Sequence, residues 1–221
     1  MKLDGLKIGF LGDSITYGIG TSNAENLFAG YRFPDLLAKM ANATAYNYGV
    51  SGTRIAKQKN PILGEPPEGH YSLRVDKMEN DLDVIVVFGG TNDFGHGDAP
   101  LGKMSDRTED TFYGAIHFLI NKLINKYPRA RLVFLTPLHR DGEDVPVNTF
   151  GLRRDSLKAY VNAINEVCEY YSTPVLDLYK LSGLQPSIPV IREIYMPDGL
   201  HPSDLGAERI AQMLFAFLGN L

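Results

Sequence analysis

The chain has 221 residues, of which 44% are hydrophobic and 22% charged, and its formal net charge is -4. This length can bury one sizeable core, so we expect a single domain over residues 1–221. The charges are scattered and leave no basic surface for nucleic acid, and no run approaches the roughly 18 apolar residues of a membrane-spanning helix. The first seven residues, MKLDGLK, are too few and too polar for a signal peptide, which predicts a cytoplasmic protein.

Five short apolar runs alternate with longer segments of helical period. The runs cover residues 7–11, 44–50, 83–88, 131–135 and 174–178, and several are nearly continuous in apolar residues, as in strands covered on both faces. A helix is predicted after Pro34, and three later helices are predicted from apolar faces at Phe112, Ile116, Leu119 and Leu123, at Leu157, Val161, Ile164, Cys168 and Tyr171, and at Leu205, Ile210, Met213, Leu214 and Phe217. The alternation predicts an α/β fold, a three-layer α/β/α sandwich around a five-stranded parallel sheet. Residues 61–69, 93–107 and 138–151 are predicted as loops.

Four polar motifs follow the predicted strands. GDSIT (12–16) follows the first strand, GVSGTR (49–54) the second and GGTND (89–93) the third, while PDGLHPS (197–203) leads into the last helix. Ligands of such sheets bind beyond the carboxyl ends of the strands, so we expect these motifs to converge. Taken singly, each has a structural explanation: GDSIT as a capped turn, GGTND as a loop braced by its own side chains, and DGLHP as a helix entry.

Together the motifs carry the groups for nucleophilic catalysis. A serine hydroxyl such as that of Ser14 is a poor nucleophile until a base removes its proton, and histidine suits that task at neutral pH. Asp198 precedes His201 by three residues, close enough on a turn to orient the imidazole ring. Asn92 can offer a side-chain amide to an oxyanion, and Gly52 and Ser14 can offer backbone N–H groups.

In order, these motifs match the four blocks of the GDSL or SGNH hydrolases, which the chain resembles from residue 8 to the last helix. The matching residues are Ser14, Gly52, Asn92 and His201, and the departure is Ile15 where the eponymous motif has leucine. The resemblance implies the flavodoxin-like SGNH-hydrolase fold. It also implies Ser14 as nucleophile, His201 as base, Asp198 as its partner, and Ser14, Gly52 and Asn92 as oxyanion donors.

The predicted function is that of a serine esterase or acylhydrolase that cleaves short-chain, acetyl-like O-esters through an acyl-enzyme. The loops at 51–60, 93–107 and 138–149 are polar and hold no cluster of large aliphatic residues, which favours a carbohydrate O-acetylesterase over a lipase. Ile62 and Leu63 could instead supply an apolar lid. An acyltransferase or thioesterase would use the same residues. A flavodoxin-like ligand-binding module remains the alternative outside enzymes, although GDSIT offers few glycines for a phosphate cradle.

Further polar residues are candidates for substrate binding: Asp13, Tyr17, Arg54, His139 and Arg140. For the last three and Tyr17, a position on the solvated rim is an equal alternative, and Asp13 and Asp93 are expected chiefly to tie the strand-end loops. The spacing of His70, His96 and His117 does not suggest a metal site. We expect no metal and no cofactor, a small ester as the partner, and an inert, buried thiol at Cys168. The sequence leaves the oligomeric state open.

Overall fold

Five parallel strands form the centre of the structure, a computed structural model that describes residues 1–20, 32–59 and 69–221. The strands are β1 (Lys7–Gly12), β2 (Thr44–Gly49), β3 (Val84–Phe88), β4 (Arg131–Leu135) and β5 (Val175–Leu176). Their order in the sheet is β2-β1-β3-β4-β5. In the register of the sheet, Gly12 lies opposite both Gly49 and Phe88, so the carboxyl ends of three neighbouring strands are level.

Helices connect the strands and cover both faces of the sheet. In the part of the chain that the structure describes they are α1 (Ser14–Tyr17), α2 (Phe33–Ala41), α3 (Ser72–Val75), α4 (Thr91–His96), α5 (Phe112–Lys126), α6 (Leu157–Tyr170), α7 (Leu178–Leu181), α8 (Pro189–Tyr195) and α9 (Asp204–Gly219). None of the helices in these ranges is both long and apolar enough to cross a bilayer.

The two hydrophobic cores lie on opposite faces of the sheet. Because side chains alternate along a strand, Ile85 and Val87 of β3 pack in one core with α5 and α6. Val84, Val86 and Phe88 pack in the other core with α2 and α9. The three-layer α/β/α sandwich with a five-stranded parallel sheet is thus confirmed.

Two differences from the predicted elements concern the fifth strand and the last helix. The fifth strand has two residues, because the Asp177 side chain accepts the N–H of Lys180 and begins α7 directly after it. Leu205 was expected in the core but is 52% exposed. The buried stripe of α9 runs through Ala207, Ile210 and Leu214, and a residue two positions before Ala207 lies on the opposite side of the helix.

A further correction concerns residues 93–107, predicted as a loop. Helix α4 covers Thr91–His96 and continues directly from the GGT of the third motif. At six residues it is too short to show a helical period, and the glycines just before and after it give the segment the composition of a loop. Ile62 and Leu63, the alternative source of an apolar lid, lie outside the described residues.

Candidate active site

The candidate nucleophile lies on the turn between β1 and α1. Asp13 is the N-cap of α1, and its Oδ1 accepts the backbone N–H of Ile15 at 3.0 Å. Helix α1 rests on the end of β2: a Cβ on Gly49 would lie 2.8 Å from the carbonyl carbon of Thr16 and 2.9 Å from the Cα of Tyr17. Only glycine at this strand end lets the backbone of α1 approach so closely, and this contact places Ser14 at the edge of the sheet.

The candidate base lies on the loop that joins α8 to α9. Asp198 Oδ1 accepts the backbone N–H groups of Leu200 at 2.9 Å and His201 at 2.7 Å, so the carboxylate itself shapes the DGLH loop. Its Oδ2 lies 2.7 Å from His201 Nδ1, and His201 Nε2 lies 3.0 Å from Ser14 Oγ. A carboxylate only accepts, so Nδ1 carries the proton and Nε2 is free to accept from the serine hydroxyl. The structure therefore brings together Ser14, His201 and Asp198, from opposite ends of the sequence.

The negative charge on the Asp198 carboxylate is stabilised by the hydrogen bonds that it accepts. Burial by itself raises the pKa of this carboxyl, but the hydrogen bonds from His201 and Leu200 outweigh it and leave the pKa below its ordinary value. The carboxylate thus stays ionised and can stabilise a positive charge on the imidazole ring.

A second contact, made by Asp141, holds the DGLH loop in place. Asp141, in the loop after β4, donates its backbone N–H to Gly199 O at 2.8 Å, and its carboxylate pairs with Arg192 of α8 at 2.6 Å. Sequence reasoning did not identify Asp141 or Arg192. Nothing in their local sequence indicates these contacts, since each partner lies about fifty residues away.

The three predicted oxyanion donors occupy neighbouring strand ends. Gly52 adopts φ +78°, a left-handed conformation that glycine reaches without strain. Among the described residues, neither the Ser14 N–H nor the Gly52 N–H donates to a protein acceptor. Asn92 Nδ2 donates one of its two hydrogens to Thr53 O at 3.0 Å. The second amide hydrogen remains available to an oxyanion.

Two buried carboxylates brace the motifs from behind. Asp93 accepts the backbone N–H groups of Ile55 at 3.0 Å and Ala56 at 2.8 Å, which ties the third motif to the segment after the second. Asp13 caps α1 as described. Burial raises the pKa of each to about 6, against the opposing effect of these backbone hydrogen bonds. The loop-tying contacts expected of both residues are present.

The remaining candidates for substrate binding are placed differently from one another. Arg54 is 1% exposed, so it does not lie on the solvated rim, and its Nη1 lies 2.7 Å from His96 Nδ1. Arg140 is largely enclosed and donates from Nη1 to the carbonyl oxygen of Thr91 at 2.9 Å. His139 is partly buried, with Nδ1 2.9 Å from the carboxylate of Glu143. Tyr17 is partly buried in α1.

Within residues 1–20, 32–59 and 69–221 the potential metal ligands are not clustered, and the single cysteine lies apart from these groups. In those ranges no three His, Cys, Asp or Glu side chains are grouped so that they could hold a metal ion. Cys168 is fully buried in α6, where desolvation raises the pKa of its thiol, as expected of an inert packing residue.

Comparison with known proteins agrees with this arrangement. The model of the GDSL-like lipase/acylhydrolase family matches residues 10–209. A solved structure from Lactobacillus plantarum is 30% identical, with a TM-score of 0.80 over 98% of both chains. A lipase/acylhydrolase from Enterococcus faecalis is 23% identical, with a TM-score of 0.67 over 97% of this chain and 96% of its own, and supports the fold alone. The comparison with curated proteins gave no match.

The family match spans all four sequence motifs that carry the resemblance. It begins inside β1, two residues before GDSIT, and ends inside α9, beyond DGLHP. The family predicted from these motifs is confirmed. The chain belongs to the GDSL-like lipase/acylhydrolase family and is an enzyme of the ester-hydrolase class.

Proposed function

We propose that the protein hydrolyses short-chain O-esters, with Ser14 as nucleophile, His201 as general base and acid, and Asp198 as the orienting carboxylate. The observation that carries this proposal is the continuous hydrogen-bonded path from Asp198 Oδ2 through the His201 ring to Ser14 Oγ, with steps of 2.7 and 3.0 Å. Both distances are within the range required for proton transfer and orientation.

In the proposed reaction, Ser14 Oγ attacks the ester carbonyl carbon as its proton passes to His201 Nε2. The carbonyl oxygen becomes an oxyanion, held by the N–H groups of Ser14 and Gly52 and the Asn92 amide. The carbon–oxygen bond to the leaving group then breaks, and His201 returns the proton to the departing alcohol. Water attacks the acyl-Ser14 ester in the same way, which releases the acid and restores the serine hydroxyl.

The proposed substrate is a short acyl ester, of the acetyl class, on a hydroxylated carrier such as a sugar. The loop after β4, which contacts the DGLH loop through Asp141 and Gly199, is polar and charged from His139 to Glu143, with Asp141 exposed and the other side chains partly buried. Such a rim can hydrogen-bond a sugar but gives little apolar surface to a long acyl chain, whose burial contributes about 0.8 kcal/mol per CH₂. An acyltransferase would differ only in using a second alcohol in place of water.

The assignment of the nucleophile is tested by Ser14→Ala. Because these residues act as a unit, turnover of p-nitrophenyl acetate should fall by about 10⁴-fold or more while the fold is retained. Ser187→Ala, at an exposed serine, is the matched control and should keep full activity. Mass spectrometry after treatment with an organophosphonate should find one adduct, on Ser14. A folded Ser14→Ala protein with near-normal turnover would refute the mechanism.

The acyl preference is tested with p-nitrophenyl esters from acetyl to octanoyl. We expect kcat/KM to be highest for the acetyl to butyryl esters and to decline for chains of roughly eight carbons, because the residues from His139 to Glu143 beside the DGLH loop are polar or charged. A steady rise toward octanoyl would overturn the short-chain proposal and favour a lipase. Release of acetate from acetylated sugars would then separate a carbohydrate esterase from an aryl esterase.

A further inference from the structure

His96, at the end of α4, links a buried arginine to the candidate oxyanion donor. Its Nδ1 lies 2.7 Å from Arg54 Nη1, and its Nε2 lies 3.1 Å from Asn92 Oδ1. Asn92 and His96 are four residues apart and therefore share one face of the helix. The ring thus stands between a fixed cation and the amide that the proposed mechanism uses.

The donors and acceptors in the series of hydrogen bonds from Arg54 through His96 to Asn92 can be assigned without ambiguity. An arginine guanidinium only donates, so His96 Nδ1 must accept and the ring proton must be on Nε2. Nε2–H then donates to Asn92 Oδ1, which leaves Asn92 Nδ2 to point the other way. At that end Nδ2 donates to Thr53 O at 3.0 Å, as the same amide orientation requires. The hydrogen bonds at Asn92 Oδ1 and at Asn92 Nδ2 therefore require the same orientation of the amide.

The surroundings of His96 keep the ring neutral. Burial lowers its pKa most, the nearby cations Arg54 and Arg140 lower it further, and together they bring the pKa to about 4 against a small opposing effect of a backbone hydrogen bond. A protonated ring would carry a hydrogen on Nδ1 and would face the Arg54 guanidinium at 2.7 Å. The accepting role of Nδ1 is therefore available throughout the neutral range.

We propose that His96, fixed by Arg54, is a positioning residue that holds the Asn92 amide with Nδ2 toward the oxyanion. This inference rests on the function proposed above. Without the Nε2–H donor, only the bond to Thr53 O holds the Asn92 amide in this orientation, and a flipped amide presents Oδ1, which repels an oxyanion. The ring also polarises the amide, since hydrogen bonds in a chain strengthen one another.

The tautomer of His96 is tested by ¹⁵N NMR of the histidine rings in the folded protein, independently of any activity. The His96 signals are assigned by their loss in His96→Leu. We expect a neutral ring protonated on Nε2 that does not titrate between about pH 5 and about pH 8. A ring protonated on Nδ1, or one that gains a second proton in this range, would overturn the inference whatever the enzyme does.

The positioning role is tested by steady-state kinetics of His96→Leu and His96→Gln. We expect His96→Leu to lower kcat by about 10- to 100-fold with KM little changed, which is less than the loss expected for the amide itself. Glutamine offers a donor and an acceptor in place of the ring and should recover most of this loss. An equal loss in both variants, or an effect confined to KM, would contradict the proposal.

A double-mutant cycle with Asn92→Ala separates this role from a general structural one. If His96 acts through Asn92, His96→Leu should cost almost nothing further in kcat once Asn92 is alanine. Additive losses would show that His96 supports the fold in another way and would refute the inference. Failure of the proposed function shows separately, as activity that survives Ser14→Ala, and the ¹⁵N result is independent of that outcome.

Discussion

At the residue scale, Asn92 combines a structural and a proposed catalytic hydrogen bond in one amide. Since the free hydrogen is most useful when charge has developed on the substrate oxygen, Asn92→Ala should lower kcat by about 10²- to 10³-fold and leave KM nearly unchanged. Steady-state kinetics on p-nitrophenyl acetate measure both. Asn162→Ala, at an exposed asparagine of α6, is the control. A rise in KM alone would assign Asn92 to substrate binding.

The buried carboxyl of Asp13 gives a pH dependence of stability. Its pKa is raised to about 6 from an ordinary value of 3.8, chiefly by burial, so the folded protein holds this proton more tightly than the unfolded chain. The stability that the proton contributes is present below about pH 4 and is lost as the pH rises through about 6. At neutral pH the buried charge therefore destabilises the fold.

Asp13→Asn removes this charge and keeps a side-chain oxygen to cap α1. Relative to the wild type, the variant should gain free energy of unfolding as the pH rises from about 4.5 to about 7.5, by about 2 kcal/mol. Urea denaturation at the two pH values measures the change. Asp93 is present in both proteins, so only its electrostatic coupling to Asp13 enters the difference. A pH-independent difference would show that the Asp13 carboxyl titrates normally.

The motif residues could be predicted from the sequence, whereas the contacts that support them could not. Ser14, Gly52, Asn92 and His201 each stand in a short local motif whose residue types imply a role. The supporting contacts join residues that are far apart, as between Asp141 and Gly199. A single sequence carries no signal for such a pair. Arg54 illustrates the limit, because it was expected either to face the substrate or to lie on the solvated rim, and its side chain is buried.

At the scale of elements, the packing of α1 on the end of β2 gives a sharp test. A methyl group at Gly49 would meet backbone atoms of Thr16 and Tyr17, which cannot move aside as a flexible side chain could. Gly49→Ala should therefore destabilise the protein by about 1–3 kcal/mol and lower kcat, because α1 carries Ser14. Thermal denaturation and kinetics measure the two effects.

Gly219→Ala provides the matched control for this substitution. Gly219 ends α9, and a methyl group there meets no other atom within 4 Å. This variant should keep the stability and activity of the wild type to within about 0.5 kcal/mol. If Gly49→Ala were equally harmless, the close approach of α1 to β2 would be wrong.

The elements that the sequence predicted best are the ones with a long or continuous apolar pattern. Strand β4 was located correctly from its continuous apolar run. The buried faces of α5 and α6 were located correctly because helices of 15 and 14 residues show a clear helical period. The short helices α4 and α8 were missed. Helix α8 has seven residues, so although Val190, Ile191 and Ile194 lie on one face, its apolar pattern is too short to identify a helix.

At the scale of the whole molecule, the alternation of strand and helix was sufficient to predict the sandwich. Parallel connections place every strand end that carries a motif at one edge of the sheet, and β1 lies between β2 and β3. This order explains why motifs at residues 12, 49 and 89 come together. The depth and shape of the substrate pocket depend instead on loop packing, which the apolar pattern does not encode.

The hydrogen bond between Ser14 and His201 joins residues that are 187 positions apart, and this has a consequence for folding. Closing such a long loop is entropically costly, so contacts of this kind form late, after local helices. On dilution from urea, hydrolytic activity should therefore return more slowly than the helical circular dichroism signal. Stopped-flow dichroism compared with activity sampled over time measures the lag. Coincident recovery would show that the chain reaches its final topology in one step.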